Sequence, residues 1–409
     1  MADEPRKLSR PGLEKIPAAL ARIVEAGSLS GIVTLIWKDG DLAQVNTLGY
    51  RDVAAHAPME RDTIFQIASM TKPIVSTLAL MLMERNLLKL EDRISRWLPE
   101  FAAMRVLRAA DGPLTDCHPE SYELTVESLM SHRSGIGYPF TSAGPIKVAY
   151  EANAPQALAP QAWLEKISSL PLIHRPGERF HYGYSTDILG LLISRLMGKS
   201  LGALLKDWIF DPLNMHDTGF WCPPEKSHRL AKLYTLDPAD DRLVESASSD
   251  LSKPVAFESA GGGLLSTADD YLTFARLLLG AGQVDGVRLL RPESVALFTQ
   301  NRLSPEQRRI PFMGIPFWLG QGFGLGVSVI TDAKKMAWMG AGTNGAFGWP
   351  GAYGTWWQVD PAENMVLIYL VQNAMPLTGD TASQLATGQR AGARSALPIF
   401  QKLAYASLE

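Results

Sequence analysis

At 409 residues the chain is longer than one hydrophobic core usually needs, so two packed lobes are predicted. Apolar residues make up 46% and charged residues 20%, without low-complexity tracts or long like-charge blocks, which excludes a disordered chain. A formal net charge of −3 provides no electrostatic footprint for a nucleic-acid partner.

The first residues, Met1-Ala2-Asp3-Glu4-Pro5-Arg6-Lys7, lack the apolar stretch of a secretory signal, and no later run approaches the ~18 apolar residues of a membrane span. Cys117 and Cys222 are the only cysteines, too few for a disulfide framework or a thiolate zinc site, which suits a reducing compartment. A soluble, cytoplasmic protein with no membrane partner is expected.

Residues 13–26 carry apolar positions at helical spacing and stop at Gly27, which predicts an N-terminal helix. Residues 31–37 are apolar and β-branched, Lys38-Asp39-Gly40-Asp41 is a turn, and residues 42–50 return as a second strand. Ser69-Met70-Thr71-Lys72-Pro73 then opens a segment that is apolar from 74 to 83 apart from Ser76 and Thr77, predicting a buried central helix. Proline is tolerated in a first turn and costly deeper in, so the helix should start at about Ser69, placing that serine at its positive end.

Between about 93 and 251 the texture is helices joined by Pro/Gly-rich loops, read as an inserted all-helical domain. Within it, residues 123–130 form a capped amphipathic helix running into the turn Ser131-His132-Arg133-Ser134-Gly135. Residues 180–184 are extended, and Ser185-Thr186-Asp187 cap the apolar helix 188–197. Beyond 251 a helix over 268–279, capped by Ser266 or Thr267, precedes alternating runs at 323–330, 354–359 and 365–372, and a helix over 381–407 closes the chain. Strands at both ends with helices between predict an α/β (α+β) domain from 1–92 and 252–409, an antiparallel sheet flanked by helices, with the 93–251 domain inserted and a cleft where the two meet.

Ser-x-x-Lys is a cheap pattern alone, about one per chain of this size by chance. Its context adds weight, because a three-residue spacing on a helix puts Ser69 and Lys72 on one face. A serine hydroxyl is a poor nucleophile until something takes its proton, and a neutral lysine amine could do so. The competing reading is a capping serine beside a paired lysine. Gly198-Lys199-Ser200-Leu201-Gly202 matches the Gly-x-Ser-x-Gly elbow, yet that elbow needs a strand, a turn and a helix. Helical segments flank Ser200 on both sides, which makes it a surface turn. The seven histidines show no metal-ligand spacing, so neither a metal nor a cofactor is expected.

Taken together, several motifs resemble those of the serine β-lactamase and penicillin-binding-protein superfamily, and within it the family VIII carboxylesterases. Ser69-Met70-Thr71-Lys72-Pro73 resembles the nucleophile motif, Ser131-His132-Arg133-Ser134-Gly135 the His-x-Ser-Gly turn, and Tyr182-Gly183-Tyr184-Ser185-Thr186 the tyrosine motif. Phe347-Gly348-Trp349-Pro350-Gly351 stands where lactamases carry Lys-Thr-Gly. The resemblance spans residues 13–403 and implies the β-lactamase/transpeptidase-like fold. It also implies Ser69 as nucleophile, Lys72 and Tyr182 as the acid/base pair, and an oxyanion hole from the backbone amides of Ser69 and Ala352. Tyr184, Trp349 and Gly351 are implied substrate-binding positions, and His132 a support for the inserted domain.

Two departures bear on substrate. Trp349 replaces a lysine that helps hold a lactam carboxylate, which disfavours penicillins and favours neutral esters. Pro350 removes a backbone donor beside the site and could bend the binding edge. Trp318, Trp338, Trp356 and Trp357 crowd around Trp349, and one or two are expected to form an aromatic wall against substrate. Residues 309–317 form an apolar loop that could be a lid or an interface.

A serine carboxylesterase acting on short- to medium-chain esters is therefore expected, its partner a small-molecule ester; a homo-oligomer is left open. The alternatives are a β-lactamase, D-amino-acid peptidase or acyltransferase on the same site, or a non-catalytic binding or sensing module.

Overall fold

A computed structural model describes residues 6–153, 158–247, 250–374 and 388–409. Its centre is an eight-stranded sheet. The strands are β1 (Gly31–Lys38), β2 (Asp41–Asp52), β3 (Ala57–Pro58), β4 (Gln321–Phe323), β5 (Ser328–Ile330), β6 (Phe347–Gly348), β7 (Trp356–Asp360) and β8 (Met365–Leu370). Their spatial order is β4-β5-β6-β7-β8-β1-β2-β3, every pair antiparallel. The two ends of the chain meet in the middle, where Val33 faces Leu370 and Lys38 faces Met365 across β1 and β8.

Helices cover both faces, which is why β1 and β8 read as continuous apolar runs. They are α1 (Lys15–Glu25), α2 (Thr71–Glu84), α3 (Val126–Met130), α4 (Ser185–Met197), α5 (Ala268–Leu279) and α6 (Gly388–Ala406). Ile32, Ile36, Leu367 and Tyr369 pack with Ile16 and Leu20 of α1 and Phe400 of α6. The alternate residues Val33, Leu35, Val366 and Ile368 pack with Ile74 and Leu78 of α2 and Phe274 of α5. The same core continues without a break into Leu129 of α3 and Ile188 and Leu192 of α4. Helix α2 therefore has protein on every side and is buried from Thr71 to Leu82.

Three local readings differ from the sequence expectation. The 93–251 insertion is not all helical: Arg105–Leu107 pairs with Cys117–Pro119, and Tyr234–Leu236 pairs with Leu243–Glu245 and, in parallel, with Asn373–Ala374. Three-residue strands are too short to show a period of two. The run 323–330 is two strands, β4 and β5, joined by a hairpin turn. Helix α4 starts at Ser185 with Tyr184 at its N-cap; the Ser185 hydroxyl pairs with Ser134 Oγ at 2.7 Å instead of capping. The closing helix is described from Gly388, and residues 381–387 lie outside the described residues.

Candidate active site

Ser69 sits in a 3₁₀ turn, Ala68–Met70, that runs directly into α2. Ala68 holds φ at 45°, a left-handed conformation that costs a non-glycine residue energy and kinks the chain so that Ser69 faces outward, partly exposed. The turn is pinned from three sides. Tyr271 of α5 donates its hydroxyl to Met70 O at 2.8 Å, Leu264 N donates to Thr71 Oγ1 at 3.1 Å, and Thr355 Oγ1 donates to Ile67 O at 3.2 Å. One turn on, Lys72 is fully buried; its Nζ donates to Ser69 Oγ at 3.1 Å and to the carbonyl of Gly261.

The tyrosine motif delivers Tyr182 to the same point. Lys72 Nζ stands 4.6 Å from the Tyr182 ring centroid and 5.3 Å from that of Tyr138. The Tyr182 hydroxyl accepts a hydrogen bond of 3.0 Å from Trp349 Nε1. Behind it, His132 is wholly buried with its ring 4.7 Å from that of Tyr182 and its Nδ1 3.4 Å from the Gly183 amide. Burial, then the charge of Lys72, holds the His132 imidazole well below its ordinary range, so this histidine is a neutral prop. Gly183 has no room for a side chain: a Cβ would lie 2.1 Å from Ile136 O. Of the residues predicted from the sequence, Ser69, Lys72, Tyr182 and Trp349 are brought together.

Ser69 and Ala352 share the wall of a cavity of about 550 Å³, with Tyr138, Phe140, Tyr184, Phe220, Phe257 and Tyr353 supplying its aromatic surface. Among the described residues neither the Ser69 nor the Ala352 amide has a protein acceptor, which leaves both free for an oxyanion. Tyr184 lines this cavity as expected. Trp349 and Gly351 do not. Trp349 is buried among Phe180, Tyr182, Trp318 and Phe323, and reaches the site only through its bond to Tyr182. Gly351 is required by close approach, since a Cβ there would lie 2.1 Å from Thr355 Oγ1 and 2.4 Å from Ile67 O. Pro350 is exposed, and the strand edge after it is kept by Gly351 N donating to Thr355 O at 2.7 Å.

Among the described residues no tryptophan lines the cavity, and its aromatic wall is built from tyrosine and phenylalanine instead. Trp356 and Trp357 are adjacent on β7 and so point to opposite faces, into the α1/α6 layer and the α2/α5 layer. Trp338 is 49% exposed. The 309–317 loop contributes nothing to this cavity either; its Phe312 ring packs 5.9 Å from Tyr182 and 5.4 Å from Phe180, over a second cavity. Ser200 is the N-cap of the short helix Leu201–Leu205, accepting from Ala203 N at 3.2 Å.

Sequence reasoning missed Asp187 and Tyr138. Asp187 lies in the first turn of α4, 2% exposed, and accepts from Ser259 Oγ at 2.7 Å and Gly261 N at 3.0 Å. Burial holds its carboxyl above the ordinary carboxylate range, opposed by these donors, by Lys72 and by the Tyr138 hydroxyl. An acid at the start of a helix reads as dipole compensation, and only burial exposes it as more. Among the described residues no group of three or more His, Cys, Asp or Glu is placed to hold a metal ion.

The Beta-lactamase family profile matches residues 16–387. Protein Rv1367c of Mycobacterium tuberculosis is 44% identical over 393 residues, covering 96% of this chain and 98% of that protein. Esterase EstB of Burkholderia gladioli is 28% identical over 386 residues, covering 88% and 90%. Among solved structures, EstCE1, described as a hydrolase with promiscuous acyltransferase activity, superposes with a TM-score of 0.75 at 26% identity over 95% of this chain and 98% of its own. Simvastatin synthase from Aspergillus terreus shares the fold, with a TM-score of 0.79 at 24% identity over 97% of this chain and 98% of its own. With the profile spanning sheet, insertion and Ser69 alike, the chain belongs to the beta-lactamase family, whose fold carries serine hydrolases and acyltransferases.

Proposed function

We propose that the protein is a serine carboxylesterase that cleaves short- to medium-chain esters through an acyl-enzyme on Ser69. The observation that carries this reading is the bond from Trp349 Nε1 to the Tyr182 hydroxyl. An indole N–H stabilises a phenolic oxygen without adding the cation that a lactam carboxylate would need. The one lysine on the cavity rim, Lys253, is 3.0 Å from Asp250. In the proposed cycle Tyr182 acts as a phenolate: Ser69 Oγ bonds to the ester carbonyl carbon as its proton passes to the phenolate oxygen, which becomes the phenol. The amides of Ser69 and Ala352 hold the oxyanion, and its collapse breaks the carbon–oxygen bond while Tyr182 returns the proton to the departing alkoxide. Water then repeats the sequence on the acyl-enzyme, and Lys72 orients Ser69 and Tyr182 throughout.

Nitrophenyl ester and nitrocefin hydrolysis compared on one preparation test the substrate class; an ester rate no higher than the nitrocefin rate counts against it. The same acyl-enzyme could be discharged by an alcohol, and EstCE1, whose description includes acyltransferase activity, favours measuring that partition. A fluorophosphonate should label the wild type and spare Ser69→Ala; folded wild type that resists labelling would point to a binding module.

Two variants sharpen the assignment. Trp349→Phe keeps the aromatic packing and removes one donor to the phenolic oxygen, so kcat should fall by about ten- to a hundredfold, read by steady-state kinetics at matched folded fraction. Ser200→Ala should lose its helix cap, costing about 1 kcal/mol in a denaturant titration, with ester turnover unchanged.

A further inference from the structure

Lys72 and Asp187 are two oppositely charged side chains, 0% and 2% exposed, and among the described residues neither has an ion-pair partner in contact. An isolated charge in such a setting is strongly unfavourable, so each needs compensation from nearby. Lys72 donates only to neutral oxygens, those of Ser69 and Gly261. Among the described residues Asp187 accepts only from neutral donors, Ser259 Oγ and Gly261 N.

Gly261 is common to both sets. Its N–H points at Asp187 and its C=O at Lys72, so a single residue of backbone separates the two charges and presents the favourable end of a peptide dipole to each. The approach requires glycine, because a Cβ at this position would lie 2.3 Å from Asp187 Oδ2 and 2.7 Å from the Tyr138 hydroxyl. Tyr138 flanks the pair, its ring 5.3 Å from Lys72 Nζ. The other titratable groups around the pair are Tyr182, Tyr184 and His132. Burial pushes Tyr138 and Tyr184 up and His132 down, which favours the neutral form of each.

We infer that Asp187 is the counter-charge of Lys72, a positioning residue that acts through Gly261 to hold the lysine's donation to Ser69 Oγ, leaving Tyr182 to receive the nucleophile's proton. The inference rests on the acyl-enzyme reading above and revises one part of the sequence expectation. Lys72 positions instead of taking the proton: it holds Ser69 Oγ beside Tyr182, and Asp187 faces it through Gly261.

The test is the pH profile of kcat/KM for an alkyl ester in wild type, Asp187→Asn and Ser259→Ala, each normalised by fluorophosphonate active-site titration. The inference requires the Asp187 charge to support Lys72 across the wild-type plateau. Asp187→Asn removes the charge and keeps an acceptor for Ser259 and Gly261. Its basic limb should move down by about one pH unit or more, and its plateau should drop about tenfold or more. A purely structural role would scale the plateau and leave the limb in place, and that result overturns the inference. Ser259→Ala strips a donor from the ionised carboxylate without removing its charge, so its acid limb should move up; an unmoved acid limb also counts against Asp187, and this variant decides the matter if Asp187→Asn does not fold. Failure of wild type to label at all would instead sink the acyl-enzyme reading, a separate outcome.

Discussion

Ser69→Ala is expected to lower ester turnover by about 10⁴- to 10⁶-fold, the loss seen when a serine hydrolase gives up its nucleophile. The remainder of the site would be intact: Lys72 would keep Gly261 O, Tyr182 would keep Trp349, and both oxyanion amides would stay in place. Any residual rate would therefore report what the cavity and the oxyanion hole achieve alone. Because Ser69 is partly exposed and held by one side-chain hydrogen bond, the melting temperature should hardly change. Mass spectrometry of a fluorophosphonate adduct locates the nucleophile independently. Turnover within tenfold of wild type, or an adduct on Ser200, would remove Ser69 from the chemistry.

Lys72→Met should lose both activity and stability. The methionine fits the slot between the Tyr138 and Tyr182 rings but donates nothing to Ser69, so kcat/KM should drop by about 10²- to 10⁴-fold. The stability effect comes from Asp187, which would be left buried with no cation nearby, at a cost of about 3 kcal/mol. Its pH dependence has a definite sign. Burial already holds Asp187 above its unfolded value of 3.8, so its contribution to stability is full below that value and is lost as pH rises through the folded value. Removing Lys72 raises the folded value further, since the lysine's charge lowers it in the wild type. The gap in melting temperature between wild type and Lys72→Met should therefore be wider at pH 8 than at pH 5. An equal gap at both would show that Lys72 and Asp187 are electrostatically independent.

The reading from residues alone went furthest where one local rule dominated. The glycine stop after α1, the turn between β1 and β2, the first-turn proline of α2 and the threonine cap of α5 all appear where the rules put them. It failed where the signal was shorter than its own period. Tyr234–Leu236 offers three residues of alternation and becomes a strand only because Leu243–Glu245 and Asn373–Ala374 lie on either side of it. The tryptophans illustrate a second limit. Five of them within forty residues predict one or two against substrate, but strand alternation sends Trp356 and Trp357 to opposite faces, and among the described residues none lines the cavity, Trp349 reaching the site through Tyr182.

What the sequence determined by itself was the inventory and its local geometry, a serine and a lysine one helical turn apart at the head of a buried helix; the family resemblance added the tyrosine turn and the tryptophan that stands where lactamases carry lysine. Spacing along one helix is covalent information, and it survives without knowledge of any partner. Which groups those residues meet was decided only by the tertiary structure, because Tyr182, Gly261 and Trp349 come from segments more than a hundred residues from Ser69. Asp187 shows the difference most sharply. In the sequence it is an acid in the first turn of a helix; in the fold, the loss of solvent turns the same carboxylate into a charge that must be answered, and the answer available is Lys72.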